Sequence, residues 1–184
     1  MRRVVYFVAA SVDGFIAEPD GAFHRFPMEG DHVADYLDRL RSFGAAVLGR
    51  STYEVGLRMG VRDPYPWMPT HVFSRTLPDD RPSEAPNVTV HRGDPSAVVR
   101  ALREEEGAPI YLCGGGRLAG ALLADGLVDA LWLKVSPLVL GRGRPLFDDA
   151  GVLPRVLEHR ATRSYRSGVV LIEYDLVAPP DATR

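Results

Sequence analysis

The chain has one cysteine and one lysine in 184 residues, and no apolar run long enough to cross a bilayer. A span needs roughly 18 consecutive apolar residues, and a lone thiol excludes an internal disulfide. Nothing beside Cys113 would activate a thiolate, so it reads as an inert core residue at the end of a buried strand. With Lys134 the only lysine, positive charge is almost wholly arginine, which by itself carries no functional inference. The formal net charge of −2 argues against nucleic acid or an acidic membrane surface as the main partner. Among the histidines (His24, His32, His71, His91, His159) there is no metal-ligand spacing and no nucleophile partner. They read as surface or loop residues, and no metal site is expected. The opening MRRVVYFVAASVDG is too short in apolar residues for a signal peptide; it reads as a first strand, and the cytoplasm is the expected location.

What is present is ordinary globular composition, 46% apolar and 25% charged, enough for a single domain over residues 1–178 with a short tail at 179–184. Residues 4–10 form a near-continuous apolar run, as in a strand covered on both faces. Ser11-Val12-Asp13-Gly14 follows, then Phe15-Ile16-Ala17 and the turn signal Pro19-Asp20-Gly21. Val33, Tyr36, Leu37, Leu40 and Phe43 recur at helical spacing, which predicts a helix over 31–43 with Asp31 as cap and Gly44 at its end. Short strands are expected at 45–48, 70–73 and 88–90. A proline-broken loop covers 58–68, and 79–86 is polar and proline-rich. Asp94-Pro95 is a helix start, with Ala97, Val98, Ala101 and Leu102 lining one face.

A strand at 110–113 then meets three glycines and a further helix that ends near Asp125-Gly126. After it the pattern loses its helices. A strand at 130–140 is interrupted by Pro137, a loop covers 141–145, and 157–165 and 169–177 form an antiparallel hairpin turning at Arg166-Ser167-Gly168. Alternation followed by a strand-only tail predicts an α/β fold. Its central sheet is mostly parallel with helices on both faces, and the C-terminal hairpin is added at one edge.

Three strand ends carry small, hydroxylic or cationic residues: Gly49-Arg50-Ser51-Thr52, Ser74-Arg75-Thr76 and Gly114-Gly115-Gly116-Arg117. Each offers backbone N–H groups, a hydroxyl or an arginine fork to a phosphate. Gly114, Gly116 and Ala119 also fit the dinucleotide pattern G-x-G-x-x-A. That pattern normally lies in the first strand–helix turn with an acid about 20 residues on, where this chain has Lys134-Val135-Ser136. That context argues against a Rossmann site, so the turn serves some other nucleotide-binding fold or none. Capping explains any one of the turns; three along one rim point to a nucleotide site of another fold.

Taken together, SVDGFIA, LGRSTYE, HVFSRTL, IYLCGGGRL and LVLGRGRPLF resemble the dihydrofolate-reductase-like superfamily. Within it they look most like the reductase domain of the riboflavin-biosynthesis deaminase-reductase and its stand-alone relatives; the deaminase zinc pattern is absent. The resemblance runs from Val4 to about Tyr174 and implies a three-layer fold with NADPH as cofactor. By likeness, Gly49, Arg50, Ser51 and Thr52 hold the diphosphate. Ser74, Arg75 and Thr76 face the adenosine 2′-phosphate, where arginine favours NADPH over NADH. Gly114, Gly115, Gly116, Arg117 and Leu118 pass the diphosphate and the nicotinamide ribose, and Ala10, Ile16 and Ala17 flank the nicotinamide.

Hydride transfer also needs a substrate site and usually a proton source. The resemblance places Asp13 near the substrate as the candidate catalytic residue, with Ser11 assisting. As an aspartate before glycine, Asp13 is equally a turn former. Asp31, Asp35 and Asp38 on the first helix are weaker candidates, better explained as capping and solvated residues. Arg142 and Arg144 could hold an anionic substrate group but read better as surface arginines, and Tyr65 and Trp67 read as packing or dimer-contact residues or as a cover for a planar ring. The implied substrate is a small heterocycle, a pterin or a ribosylaminopyrimidine. A protein that keeps the nucleotide or flavin site without catalysis would show the same turns. The strand-rich tail leaves a sheet edge that a second copy would cover, so a homodimer is expected.

Overall fold

The structure, a computed structural model, describes residues 1–77, 85–148 and 154–177; the expected tail at 179–184 and most of the 79–86 stretch lie outside them. The apolar run at the start forms β1 (Val4–Ser11), followed by β2 (Phe15–Ala17), α1 (Asp31–Leu40), β3 (Ala45–Gly49) and α2 (Arg50–Arg58). Then come β4 (Thr70–Phe73), β5 (Val88–His91), α3 (Pro95–Glu104), β6 (Ile110–Gly114) and α4 (Gly116–Ala124). The chain finishes with β7 (Ala130–Ser136), β8 (Arg144–Pro145), β9 (Leu157–Ser164) and β10 (Val170–Leu176).

Eight strands make one sheet in the order β5-β4-β3-β6-β1-β7-β10-β9. β5 to β7 run parallel, and β10 and β9 add the antiparallel hairpin. β1 lies in the middle because its side chains are apolar on both faces. Val4 and Tyr6 pack with Val99 and Leu102 of α3 and with Leu118, Ala119, Leu122 and Leu123 of α4. Val5 and Phe7 pack on the other face with Leu40 and Tyr36 of α1 and with Tyr65 and Tyr111. Each such side chain taken fully from water, Phe7 or Leu122 for example, contributes about 1.5–3 kcal/mol. α2 covers the β4–β5 side of that second face through Tyr53 against Val72 and Val88. Three layers result, as the resemblance implies.

Four local expectations are corrected. Gly30, not Asp31, holds the N-cap position of α1, and the Asp31 carboxylate instead accepts the Arg166 N–H at 3.1 Å. The helix stops at Leu40, because residues 41–43 leave by a tight turn that still carries Phe43 into the core. The inward face of α3 is Ser96, Val99 and Leu102, with Ala97 and Ala101 exposed; the Ser96 hydroxyl is drawn in by the Asp125 carboxylate. Three of the histidines are also structural. His32 is buried between the Pro27 carbonyl and the Ser167 hydroxyl, and His71 and His91 stack across β4 and β5 with ring nitrogens 2.9 Å apart. Burial, then its neighbour His91, pushes His71 down to about 4, so the pair is neutral at physiological pH.

Candidate active site

The rim where β3, β4 and β6 end gathers the glycine turns. Gly49 ends β3 and N-caps α2, and Gly115 N-caps α4; neither helix has a side-chain cap or an acid in its first turn. Their first N–H groups therefore have no acceptor from an N-cap side chain, and neither positive dipole end meets an acid of its own first turn. The two starts adjoin. A Cβ on Gly49 would lie 3.6 Å from the Gly115 nitrogen, and one on Gly115 would lie 3.5 Å from Thr52 Oγ1 and 3.9 Å from Ile16 Cδ1. Gly49, Thr52, Gly115 and Ile16 thus meet at one point, with Leu118 buried beneath.

Close backbone packing explains why these positions are glycine. The Gly114–Gly115 peptide is cis, with Gly114 at φ 120°, and a Cβ on Gly116 would come within 2.3 Å of the Pro145 carbonyl oxygen. The loop 141–148 is pressed onto the start of α4 there and onto β2 at Gly143, where a Cβ would meet the Ala17 carbonyl at 2.2 Å. Ala17 pairs with Arg144 and Phe15 with Pro145, so β2 and β8 form a small two-stranded flap over this end of the sheet.

The second turn is tied to the first. Arg50 donates to Glu54 within α2 and, through Nη1, to Thr76 Oγ1 at 2.7 Å. Ser74 is buried and its hydroxyl accepts the N–H groups of Thr76 and Leu77, which fixes the turn. Arg75 is exposed; among the described residues its carbonyl is engaged by Arg92 and its guanidinium has no partner. Ser51 and Arg117 are exposed on the same rim, and Ala10 is buried near the end of β1.

Asp13 lies elsewhere than on a helix. It is exposed, and its carboxylate accepts the N–H groups of Leu140 at 3.1 Å and Gly141 at 2.6 Å, tying the end of β1 to the loop after β7. Hydrogen bonding from Ser11, then from those two amides, holds it down at about 2. Ser11 is buried and also accepts the Phe15 N–H at 3.0 Å. Of the α1 carboxylates, Asp38 is exposed, whereas Asp35 is occupied by Arg39 at 2.7 Å, Arg163 at 2.6 Å and Tyr165 at 2.5 Å. Burial raises Asp35, but Tyr165 and Arg39 more than offset it and leave it below the ordinary carboxylate range. Arg142 and Arg144 are exposed, as expected.

The group that the sequence reading missed lies on the α1 face. Lys134 of β7 pairs in register with Ala9 of β1, and its Nζ sits 3.8 Å from the Tyr36 ring centroid. Around it, the Tyr36 and Tyr111 hydroxyls bond at 2.8 Å, and the Tyr65 hydroxyl meets Cys113 Sγ at 3.4 Å. Burial pushes all three phenols and the thiol up, so they are neutral, and pushes Lys134 down to about 8. A charge interrupting the apolar stretch LWLKV was the available signal.

With this geometry in place, likeness to known proteins becomes informative. Residues 2–171 match the family described as RibD C-terminal domain. The chain is 33% identical over 151 residues to the uncharacterised protein YwjB of Bacillus subtilis, covering 80% of this chain and 84% of that one. It is 31% identical to YyaP of the same organism, with 94% of each covered. Against the riboflavin biosynthesis protein RibD of Mycobacterium tuberculosis it is 29% identical and spans 47% of that protein. In three dimensions it resembles a proposed riboflavin biosynthesis protein from Shewanella, with a TM-score of 0.81 at 22% identity, covering 97% of this chain and all of that one. Dihydrofolate reductase from Enterococcus faecalis, solved with NADP(H), shares the fold with a TM-score of 0.65 at 19% identity, 95% of this chain and 96% of that one being covered. The chain belongs to the RibD C-terminal domain family, on a dihydrofolate-reductase-like fold.

Proposed function

We propose that this protein is an NADPH-dependent reductase of a small heterocycle of the pterin or ribosylaminopyrimidine type. The observation that carries the reading is the pair of adjoining helix starts at Gly49 and Gly115, with no side-chain cap and no acid in their own first turns, together with a guanidinium at Arg75 that has no partner among the described residues. Uncapped N–H groups and dipole ends suit a diphosphate, and a free arginine fork suits the phosphate dianion that distinguishes NADPH from NADH. These residues fit the cofactor, and the family and its neighbours support it.

Gly49, Ser51, Thr52 and the Gly114–Gly116 turn would hold the diphosphate, with Arg50 bracing the turn that carries Arg75 and Thr76. Ala10, Ile16, Ala17 and Leu118 give the apolar wall for the nicotinamide, and Arg117 lies at the rim beside the phosphates. When bound, NADPH supplies a hydride for a C=N or C=O bond. Asp13 is assigned to positioning. Ionised throughout the neutral range, it holds the loop 138–141 against the end of β1 and leaves a carboxylate edge, with Ser11, for a substrate N–H or hydroxyl. Its low pKa makes it a poor proton reservoir at pH 7.

The test is a titration of NADPH and NADH into the parent and an Arg75→Ala variant. Micromolar NADPH binding that weakens by at least about tenfold in the variant, with NADH unchanged, is the expected result. Binding of neither nucleotide would end the reductase reading. The second copy belongs to the same proposal. β9 is exposed along its whole length at the sheet edge, with Leu157 among its side chains. A homodimer closed there would show twice the monomer mass in light scattering.

A further inference from the structure

We infer that Lys134 is the recognition point of the substrate pocket, and that it selects heterocycles presenting a carbonyl or anionic oxygen over those presenting an amidine edge of N–H donors. The inference rests on the reductase reading and narrows it to a substrate class.

Lys134 and its surroundings come from six parts of the chain. β7 contributes Lys134, β6 contributes Tyr111 and Cys113, α1 lays Tyr36 over the ammonium, and Tyr65 comes in from the loop after α2. β1 adds only apolar side chains, Phe7 with its ring 5.9 Å from Nζ and Ala9 in register beside it, while β10 sets Leu171 opposite. The titratable groups facing Lys134 are thus three phenols and one thiol, all neutral at pH 7.

An ammonium is three donors and no acceptor. A half-buried one normally sits against a carboxylate, because burial strips away water without returning a partner. Among the described residues no carboxylate and no hydrogen-bond acceptor lies within bonding distance of this one. The nearest acid on α1, Asp35, is turned to Arg39, Arg163 and Tyr165, and Glu173 is held by Arg39. The Tyr36 face gives a cation–π contact, but a ring face leaves N–H donors unspent. The phenols do not fill the gap, since Tyr36 and Tyr111 bond each other and Tyr65 bonds Cys113.

The surroundings of Lys134 therefore lack what an amidine edge needs and have what an oxo edge needs. A ring presenting N–H and NH2 groups would set donors against a donor, and its protonated form would set cation against cation. A ring carbonyl, or the oxygen of a heterocyclic anion, would take up the ammonium's free donors and regain the solvation that burial removed. Donation from Lys134 would also draw electrons from the ring toward that oxygen, in the direction hydride acceptance requires.

Because Lys134 is the only lysine, lysine labelled isotopically in its side chain gives one ε resonance on the full chain. The probes are barbiturate, an anionic oxo-pyrimidine, and diaminopyrimidine, an amidine-edged one. Barbiturate is expected to shift the Lys134 signal saturably and to raise its titration midpoint; diaminopyrimidine is expected to leave both unchanged. Lys134→Met should weaken barbiturate at least about tenfold, Lys134→Arg no more than about threefold, and both should bind NADPH as the parent does, within about twofold. A Lys134 signal unmoved at saturating barbiturate, no barbiturate binding, or equal affinity for diaminopyrimidine would overturn the inference, and these parent measurements stand even if Lys134→Met fails to fold. Loss of NADPH binding in the parent with the barbiturate response intact would sink the reductase reading alone.

Discussion

Three helices begin just beyond parallel strands, and they begin in two different ways. α3 is finished by the chain itself: the Asp94 carboxylate accepts the N–H groups of Ser96 at 3.1 Å and Ala97 at 3.3 Å, and Pro95 removes another donor. α2 and α4 start at glycines with no side-chain cap and no acid in the first turn. A glycine at the N-cap gives up roughly a few tenths of a kcal/mol against a capping side chain. The chain meets that cost twice, at two adjoining points, and avoids it at the third. Where a fold leaves donors open side by side, an anion is the natural complement; where it seals them, the helix is scaffold.

The comparison breaks most severely at Gly116. Its absent Cβ leaves room for the Pro145 carbonyl, so Gly116→Ala must move the loop 141–148 or the start of α4. Overpacking of this kind costs about 3 kcal/mol, and the open N–H groups move with it. Urea unfolding should show the loss of stability, and NADPH titration a loss of binding. Unchanged stability would mean that the loop gives way freely and does not hold the site.

Gly49→Asp separates the two roles of a helix start. Gly49 has φ −77° and ψ 156°, which any residue adopts, and only ordinary contacts surround its Cβ position. An aspartate there would cap α2 as Asp94 caps α3. Stability without nucleotide should rise by about 0.5–1 kcal/mol, while NADPH affinity falls at least about tenfold, or 1.4 kcal/mol. Effects of opposite sign are the signature of a site held open. The matching change at the sealed end, Asp94→Ala, should cost about 1 kcal/mol of stability and leave NADPH binding unchanged.

The open starts were legible in the sequence because their chemistry is local. Glycines between an apolar strand and an amphipathic helix announce a turn, and Asp94-Pro95 announces a cap, with no knowledge of the fold. The apolar run of β1 and the Arg166-Ser167-Gly168 hairpin were legible for the same reason. The order of strands was not, since nothing in β1 states that β6 and β7 will be its neighbours. Lys134 needed that order. It becomes a site only when β7 lies beside β1 and when Tyr36 and Tyr65 arrive from α1 and a loop; taken singly, each of those tyrosines reads as core. The inward Ser96 and the His71–His91 stack were missed in the same way, because their partners are 29 and 20 residues distant.

The smallest expected effect concerns Asp13, which does for a loop what Asp94 does for a helix. Both carboxylates accept two backbone N–H groups, and Asp13 is held down at about 2 by Ser11, Leu140 and Gly141. A depressed carboxylate stabilises the fold above its unfolded value, near 4, and that contribution fades as pH falls through the folded one. The tie should therefore be whole at neutral pH, start to weaken below about 4 and be lost near 2. The amide resonances of Leu140 and Gly141 should follow that curve together, with a midpoint near 2 in the parent and no titration in Asp13→Asn. A midpoint near 4 would mean that the bonds exert no pull on the proton and that Asp13 is free to serve the substrate alone. A midpoint near 2 would keep it ionised at any physiological pH, and under the reductase reading a proton needed by the substrate would then have to come from another group.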